Sequence, residues 1–188
     1  MGVYYYVSAS LPMLIGPEQE APITMEAMMD TCQRFLSSGD YEVLTGSTMI
    51  PEDSVAPGIC EVFSEWEKSL RNELVLLRAA EQALNSEDHL RKSNSILGTS
   101  AIAAEAMIKD SPLEAELYLD GCRWSRIEDL AAGHFFDIEF LQSYKMKLQI
   151  LERRSLFDEE RGFAAYRDLY ARVLTASGTE IPTGSENL

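Results

Sequence analysis

The spacing of hydrophobic residues predicts a chain made mainly of helices. Between residues 59 and 84 there is no proline or glycine. Hydrophobic side chains recur there every three, four or seven positions, the pattern of a long amphipathic helix with a seam like that of a coiled coil. They are Ile59, Phe63, Trp66, Leu70, Leu77 and Leu84. Glu67 and Arg71 are four residues apart, and such a pair is expected to stabilise the helix by a few tenths of a kcal/mol.

Shorter helices are predicted on both sides of this long one. Thr24 is a suitable cap for a helix that runs to about Leu36. Residues 111–114, Ser-Pro-Leu-Glu, place a capping serine before a proline at the first helical position and a glutamate in the capping box. A final helix is predicted over about residues 160–174. Residues 3–15 are hydrophobic, but their pattern fits a strand as well as a short helix. In either case the three consecutive tyrosines at positions 4–6 are expected to lie in the core.

Residues 133–141 predict a corner between two antiparallel helices. Gly133 suits the left-handed residue that ends a helix. Asp137 is expected to cap the next helix, with Phe136 packed against Leu141 across its start. A reactive pair of His134 and Asp137 is the alternative, but caps explain these residues more fully. We therefore predict a structural corner formed by Gly133, His134, Phe136 and Asp137.

The predicted fold is all-α, with antiparallel helical hairpins and a long central helix. Residues 1–174 are expected to form a single mainly helical domain, in which residues 46–58, with two prolines and two glycines, form an exposed connection. Residues 175–188 predict a flexible C-terminal tail. The longest apolar run, residues 3–15, is too short to span a bilayer and lacks the basic start of a secretory signal. A cytoplasmic location without membrane insertion is therefore expected.

Charge is distributed unevenly along a chain whose net charge is −15. Residues 1–66 hold ten acidic residues and one basic residue, Arg34, a net charge of −9. Residues 67–188 hold twenty-one acidic and fifteen basic residues, a net charge of −6. Phosphate backbones and anionic lipid surfaces repel such a molecule. The N-terminal third better suits a basic protein partner, although acidic residues that only keep the chain soluble are the alternative explanation.

The sequence contains few candidates for chemistry. It has no phosphate-binding loop, no dinucleotide-binding glycine pattern and no nucleophile elbow. Neither His89 nor His134 follows a glutamate by three residues, as a helical di-iron site requires. Five carboxylates could line a pocket but are expected to face water: Glu61, Glu65, Asp120, Glu128 and Asp129. We therefore predict no catalytic residue, no cofactor and no bound metal.

The segment FDIEFLQSYKMKLQILERRSLFDEERG, residues 136–162, resembles a small bacterial family of uncharacterised proteins encoded among the subunits of V/A-type rotary ATPases. Residues 4–12 and 21–30 also look like that family. Over about residues 111–174 the chain is distantly similar to the central-stalk C subunit of those enzymes, called d in vacuolar ATPases. The shared pattern is an aromatic–acid corner, a tyrosine within the next helix and a terminal acidic–basic cluster. These are Phe136-Asp137, Tyr144 and Glu152-Arg153-Arg154.

The resemblance implies part of the fold of that central-stalk protein and a non-enzymatic role. The protein would be an accessory or central-stalk-like component of a V/A-type ATPase that acts by protein–protein contacts and is held near the membrane by that complex. The chain is much shorter than the central-stalk protein it resembles, so the funnel that seats the rotor shaft is not carried over. Candidate partner-binding residues are Glu61, Glu65, Arg153 and Arg154, and the two arginines are alternatively suited to pinning neighbouring helices.

Two other functions remain open at this point. One is a small-molecule-binding or enzymatic helical domain whose apolar pocket would use Tyr4, Trp124 and Tyr144, with His134 or Glu128 pointing inward. The other is a homo-oligomeric scaffold that uses the long helix as its seam. The pattern of the chain does not determine the oligomeric state or which component of the ATPase would be contacted.

Overall fold

A computed structural model describes residues 2–51, 55–157, 162, 166–170, 172 and 173. Up to Arg154 the described residues form seven α-helices and one short 3-10 helix at Glu87–His89. The α-helices are α1 (Gly2–Ser10), α2 (Met25–Phe35), α3 (Ser38–Thr45), α4 (Ile59–Gln82), α5 (Thr99–Met107), α6 (Pro112–Leu130) and α7 (Ile138–Arg154). No strand occurs in this part of the chain, and the predicted all-α fold is confirmed.

Local sequence signals account for where several helices begin. The Ala27 N–H donates to Thr24 Oγ1 over 3.2 Å, which caps α2. The Glu114 N–H donates to Ser111 Oγ over 3.1 Å, and Pro112 is the first residue of α6. Both helix starts were predicted. The apolar segment at residues 3–15, whose pattern left two possibilities open, is helical as far as Ser10, the end of α1.

The hydrophobic core consists of two clusters that share helix α7. The first cluster lies among α4, α5, α6 and α7, and includes Phe63, Trp66, Leu70, Trp124, Ile127, Met146 and Ile150. The second lies among α1, α2, α3 and α7, and includes Val7, Met28, Cys32, Leu44, Leu141, Tyr144 and Leu148. Because it lies between the clusters, α7 buries polar residues as well, among them Gln142 and Lys145. The helix shared by both clusters is thus α7, while the longest is α4.

Helices α6 and α7 form an antiparallel hairpin. Lys147 Nζ on α7 lies 3.1 Å from Glu128 Oε1 on α6. Further along α7, Arg153 forms an ion pair with Asp120, which lies two turns earlier on α6. Residues further toward the C-terminus of α7 thus contact residues further toward the N-terminus of α6, as expected for antiparallel helices. The corner at residues 131–137 joins the two helices.

The apolar seam of α4 packs inside the chain. Phe63 and Leu70 are fully buried, and the hydroxyl of Ser69 lies 3.0 Å from that of Thr99 on α5. The helix ends at Gln82, because Ala83 adopts a left-handed conformation with φ of 52°. Helices α5, α6 and α7 of the same chain cover the seam from Ile59 to Leu74, whereas Leu84 lies beyond the end of α4 and is 63% exposed.

The connection at residues 46–58 is more buried than predicted. Met49 and Ala56 are buried, and the Met49 N–H donates to Gln149 Oε1 over 2.9 Å. The Pro57 carbonyl accepts from Gln142 Nε2 over 2.8 Å. Met49 and Ala56 thus depart from the predicted exposure, whereas Gly46, Ile50, Pro57 and Gly58 are exposed. The amide side chains of α7 satisfy backbone groups of this irregular segment.

The chain divides into two compact units, Met1–Arg154 and Ser155–Leu188. In the second unit the rings of Tyr166 and Tyr170 stack with centroids 6.1 Å apart. Arg172 pairs with Asp168 over 2.6 Å. The predicted tail, residues 175–188, lies outside the described residues. None of the described helices is both long enough and apolar enough to cross a bilayer.

Candidate functional site

The corner between α6 and α7 is built from a left-handed glycine and a capping aspartate. Gly133 has a φ of 91°, a conformation that costs other residues about 1–2 kcal/mol. The His134 N–H then donates to the Ala131 carbonyl over 3.0 Å, which completes the turn. Asp137 Oδ1 accepts from the Phe140 N–H over 2.9 Å and so caps α7. These bonds fix the direction in which the chain enters α7.

The imidazole of His134 is bonded to the same aspartate. Its Nδ1 lies 2.7 Å from Asp137 Oδ2, and the two side chains are 35% and 38% exposed. The pair therefore lies at the protein surface and completes the cap. Within the described residues, His134, Asp137 and Glu139 are the group whose ligand atoms could hold a metal ion, since these atoms lie within 4.8 Å of one another.

Beside the corner lies a set of exposed rings, which we term the aromatic surface. It consists of Tyr5, Tyr6, Phe35 and Phe136, which are 60%, 58%, 40% and 51% exposed. The Tyr5 and Phe136 ring centroids lie 5.0 Å apart, and those of Tyr6 and Phe35 lie 4.7 Å apart. Helix α1 thus contributes one ring to each pair. Tyr5 contacts Phe136 at the corner, and Tyr6 contacts Phe35 at the end of α2.

The exposure of these rings corrects the expectation that the three N-terminal tyrosines are core material. Successive residues of an α-helix point about 100° apart, so three in a row cannot all face the core. Val7 is fully buried, and Tyr5 and Tyr6 project from the other side of α1. Only Tyr4 of the three is partly buried.

Carboxylates surround this end of α1. Burial, together with the nearby carboxylates of Asp40, Glu139 and Asp137, raises the pKa of Tyr4 to about 12. Asp40 is in the first turn of α3, where its Oδ2 accepts from the Ser37 hydroxyl over 2.8 Å. Two helix starts, those of α3 and α7, therefore bring negative charge to the edge of the aromatic surface.

The four residues predicted to bind a partner have different surroundings. Glu61 is exposed near the start of α4, and Glu65 is half-buried and pairs with Lys68 over 2.9 Å. Arg153 forms an ion pair with the buried Asp120, and Arg154 is half-buried at the end of α7. Arg153 thus joins α7 to α6 of the same chain. This contact fits the alternative role considered for it, that of pinning neighbouring helices.

Beneath the surface, charged residues of α4, α6 and α7 form a buried ionic cluster. It consists of Glu67, Arg71, Asp120, Arg123 and Arg153. At its edge, Glu116 Oε2 lies 3.7 Å from both Arg123 Nη1 and Arg153 Nη2. Glu67 and Asp120 are completely buried, and Arg123 is 4% exposed. Arg123 Nε and Nη2 each lie 3.0 Å from a Glu67 oxygen, and its Nη1 lies 3.0 Å from Asp120 Oδ1. Arg123 therefore links two buried carboxylates of different helices.

The sequence interpretation missed this cluster. Asp120 was expected to face water, which is wrong because it lies four residues before the buried Trp124 on the inner side of α6. Glu67 was assigned a pair with Arg71, and that contact exists with an Nε–Oε1 distance of 2.7 Å. A signal was nevertheless present: Glu67 lies four residues after Phe63 and three before Leu70, on the apolar side of the helix.

A groove of about 590 Å³ lies beside α6, and its lining includes Trp66, Tyr118, Cys122 and Trp124. Of the three residues predicted for an apolar pocket, Trp124 alone is in this lining. Tyr144 is buried in the second core cluster, where its hydroxyl donates to the Pro12 carbonyl over 2.8 Å. The structure therefore does not bring the three predicted pocket residues together around this groove.

Comparison with known protein families finds a match to the part of the chain that holds α5, α6 and α7. A DUF2764 domain is found at residues 94–176. The family is described as a protein of unknown function. The DUF2764 match includes the corner and the buried residues Asp120 and Arg123, whereas Glu67 and helix α1 lie outside it. Neither a curated protein nor a solved structure matches the chain.

Proposed function

We propose that this protein is a non-enzymatic accessory or central-stalk-like component of a V/A-type rotary ATPase, and that it binds the complex through the aromatic surface. The observation that carries the proposal is the exposure of four large rings in two neighbouring pairs. Contiguous exposed apolar groups mark interaction sites, and aromatic residues are enriched at protein interfaces. The ATPase enters through the sequence resemblance of residues 136–162.

The interior supports a role in which the protein presents a fixed surface. Arg123 joins α4 to α6, and Arg153 joins α6 to α7 through Asp120. Phe136 lies in the corner two residues before α7, and the far end of that helix is paired with α6 through Arg153. A surface ordered before binding loses less conformational entropy when a partner docks.

Binding to the purified ATPase tests the proposal. The protein is immobilised, and association of V/A-type ATPase from the native cell is measured at low and at moderate salt. The test variant is Tyr6→Ser/Phe136→Ser, which removes one ring from each pair. The control is Leu97→Ser, since Leu97 is fully exposed and lies outside the aromatic surface.

Wild-type protein and the Leu97→Ser control are expected to bind the ATPase with equal affinity. Loss of the two rings should weaken binding at least about tenfold, because central aromatic residues dominate interface energetics. Circular dichroism confirms that each variant is folded. Failure of the wild type to bind at either salt concentration would contradict the proposal.

A second candidate function, small-molecule binding, is favoured by the groove beside α6. Two indoles and a phenol in its lining suit a flat apolar ligand. Native mass spectrometry of protein isolated from its own cell tests this candidate. A copurified small molecule that is lost on Tyr118→Ala, but retained in the Leu97→Ser control, would support it, and ligand-free protein would count against it.

A further inference from the structure

The aromatic surface is bordered by carboxylates that form no salt bridge with a lysine or arginine among the described residues. Asp137 directly follows Phe136 in the sequence, and Glu139 is the second residue of α7. Within the described part of the chain, Asp137 pairs with His134, and no lysine or arginine forms a salt bridge with Asp40, Asp137 or Glu139. Carboxylate oxygens of Asp137 and Glu139 lie within 4.8 Å of one another next to Phe136, and Asp40 lies in the first turn of α3, five residues after Phe35, so negative charge lies beside the exposed rings.

We propose that the aromatic surface binds a basic amphipathic helix, with the apolar side of that helix on the four rings and its lysine or arginine side chains against Asp40, Asp137 and Glu139. The inference rests on the proposed function and names the chemistry of the ATPase segment that is bound. Apolar anchors flanked by cations complement rings flanked by carboxylates. Such complementarity sets both specificity and association rate.

The secondary structure around the surface favours a helix over an extended segment. An extended peptide gains most of its affinity by adding a strand to an open sheet edge. The surface is built from α1, the end of α2 and the start of α7, and these described elements offer no strand edge. A helix instead binds through side chains at positions i, i+3, i+4 and i+7, which suits a surface made of rings.

The charges also discriminate against two other occupants. In a symmetric dimer through this surface, the same carboxylates of both copies would face each other, and like charges across an interface are unfavourable. An anionic membrane would meet the same repulsion. Arg34, next to Phe35, is the single basic residue among residues 1–66, so cations on this side are few.

Synthetic peptides test the inference directly. The first peptide is a basic amphipathic helix, the second keeps its apolar stripe but carries glutamate in place of lysine, and the third scrambles the order of the first. Binding of labelled peptide to the full chain is measured by fluorescence anisotropy at about 50 mM and about 300 mM salt, where charge screening differs strongly. Only the first peptide is expected to bind, and less tightly at the higher salt concentration.

Variants of the protein separate the rings from the charges. Tyr6→Ser/Phe136→Ser should weaken binding of the basic peptide at least about tenfold. Asp40→Asn/Glu139→Gln should weaken it about threefold to tenfold and reduce its salt dependence. Leu97→Ser is the control for the rings, and Glu61→Gln, an exposed carboxylate on α4, is the control for the charges.

The outcomes distinguish this inference from the proposed function. Equal binding of the acidic or scrambled peptide, or unchanged binding by Asp40→Asn/Glu139→Gln, would overturn the basic-helix inference even if the ATPase itself binds. Concentration-dependent dimers abolished by Tyr6→Ser/Phe136→Ser, or ring-dependent binding to phosphatidylserine vesicles, would overturn it in favour of those occupants. Selective peptide binding without ATPase binding would uphold the surface and reject the ATPase assignment.

Discussion

Replacing Arg123 by methionine should destabilise the fold more than removing any other single arginine of the buried ionic cluster. Arg123 supplies three of the four hydrogen bonds found for the buried carboxylate of Glu67, and Arg71 supplies the fourth. It also supplies one bond to Asp120, which keeps its ion pair with Arg153. Methionine retains much of the apolar length of the side chain, so the change tests the charge more than the packing.

The magnitude follows from the desolvation of Glu67. Breaking a buried ion pair costs about 3–5 kcal/mol, because an uncompensated charge is left in the interior. Arg71 remains within 2.7 Å of Glu67, and its side chain is 33% exposed, so compensation is partial. We therefore expect Arg123→Met to lower the free energy of unfolding by about 3 kcal/mol, near the lower end of that range.

Arg71→Met is the matched control. It removes one hydrogen bond from Glu67 and leaves Arg123 in place, so the expected loss is about 1 kcal/mol. A double replacement, Glu67→Met/Arg123→Met, removes both charges and should recover part of the stability lost in Arg123→Met.

Urea unfolding followed by tryptophan fluorescence and far-ultraviolet circular dichroism measures these differences. The chain has two tryptophans, Trp66 and Trp124, and each is adjacent in sequence to a member of the cluster. Both belong to the first core cluster, so fluorescence reports on that region. The reasoning would be refuted if Arg123→Met lost no more stability than Arg71→Met, or if the double replacement were less stable than Arg123→Met.

Three further outcomes are expected. Burial raises the pKa of Tyr144 from 10.0 to about 12, so the unfolded state loses this proton first and stability is lost as pH rises above 10. Urea unfolding at increasing alkaline pH should show a smaller loss of stability for Tyr144→Phe than for the wild type. An equal loss would contradict the burial argument. Gly58→Ala should cost about 2 kcal/mol and Gly133→Ala about 1 kcal/mol in chemical unfolding. Both glycines have positive φ, but of the two only a Cβ at Gly58 would meet another atom closely, Gln142 Oε1 at 2.9 Å. Gln142 is fully buried and its Nε2 donates to Ser47 and Pro57, so it cannot move away freely, and the reverse order would refute the steric reasoning. Cys122 is the partly exposed thiol whereas the other two are buried, so a thiol reagent should label one cysteine rapidly, and Cys122→Ser should abolish that fast phase.

The helices were predictable because their signals are local. Thr24 and Ser111 cap helices through bonds to residues three positions ahead, and these bonds depend only on nearby sequence. The same holds for the corner, where Gly133 provides the left-handed residue and Asp137 the cap. The His134–Asp137 contact also arises from this short spacing. The corner, with its left-handed glycine and its capping aspartate, can therefore be predicted from the local sequence.

The buried ionic cluster was not predictable from local spacing. Glu67 and Arg71 have the same separation whether their helix face meets water or the core. The burial of Glu67 depends on its contact with Arg123 of α6, which lies 56 residues further along the chain. The aromatic surface presents the opposite case, because a run of tyrosines indicates a core until the segment is known to be a helix. Tertiary packing thus determined which charged and aromatic residues are buried.

Hydrogen–deuterium exchange of the protein, free and bound to purified V/A-type ATPase, tests the central claim most directly. Formation of the complex should slow exchange in peptides that cover α1 and the corner at residues 131–137, while the exposed segment around Leu97 keeps its exchange rate. A complex that protects other segments and leaves α1 and the corner unchanged would contradict the assigned surface. Absence of any complex would contradict the ATPase assignment itself.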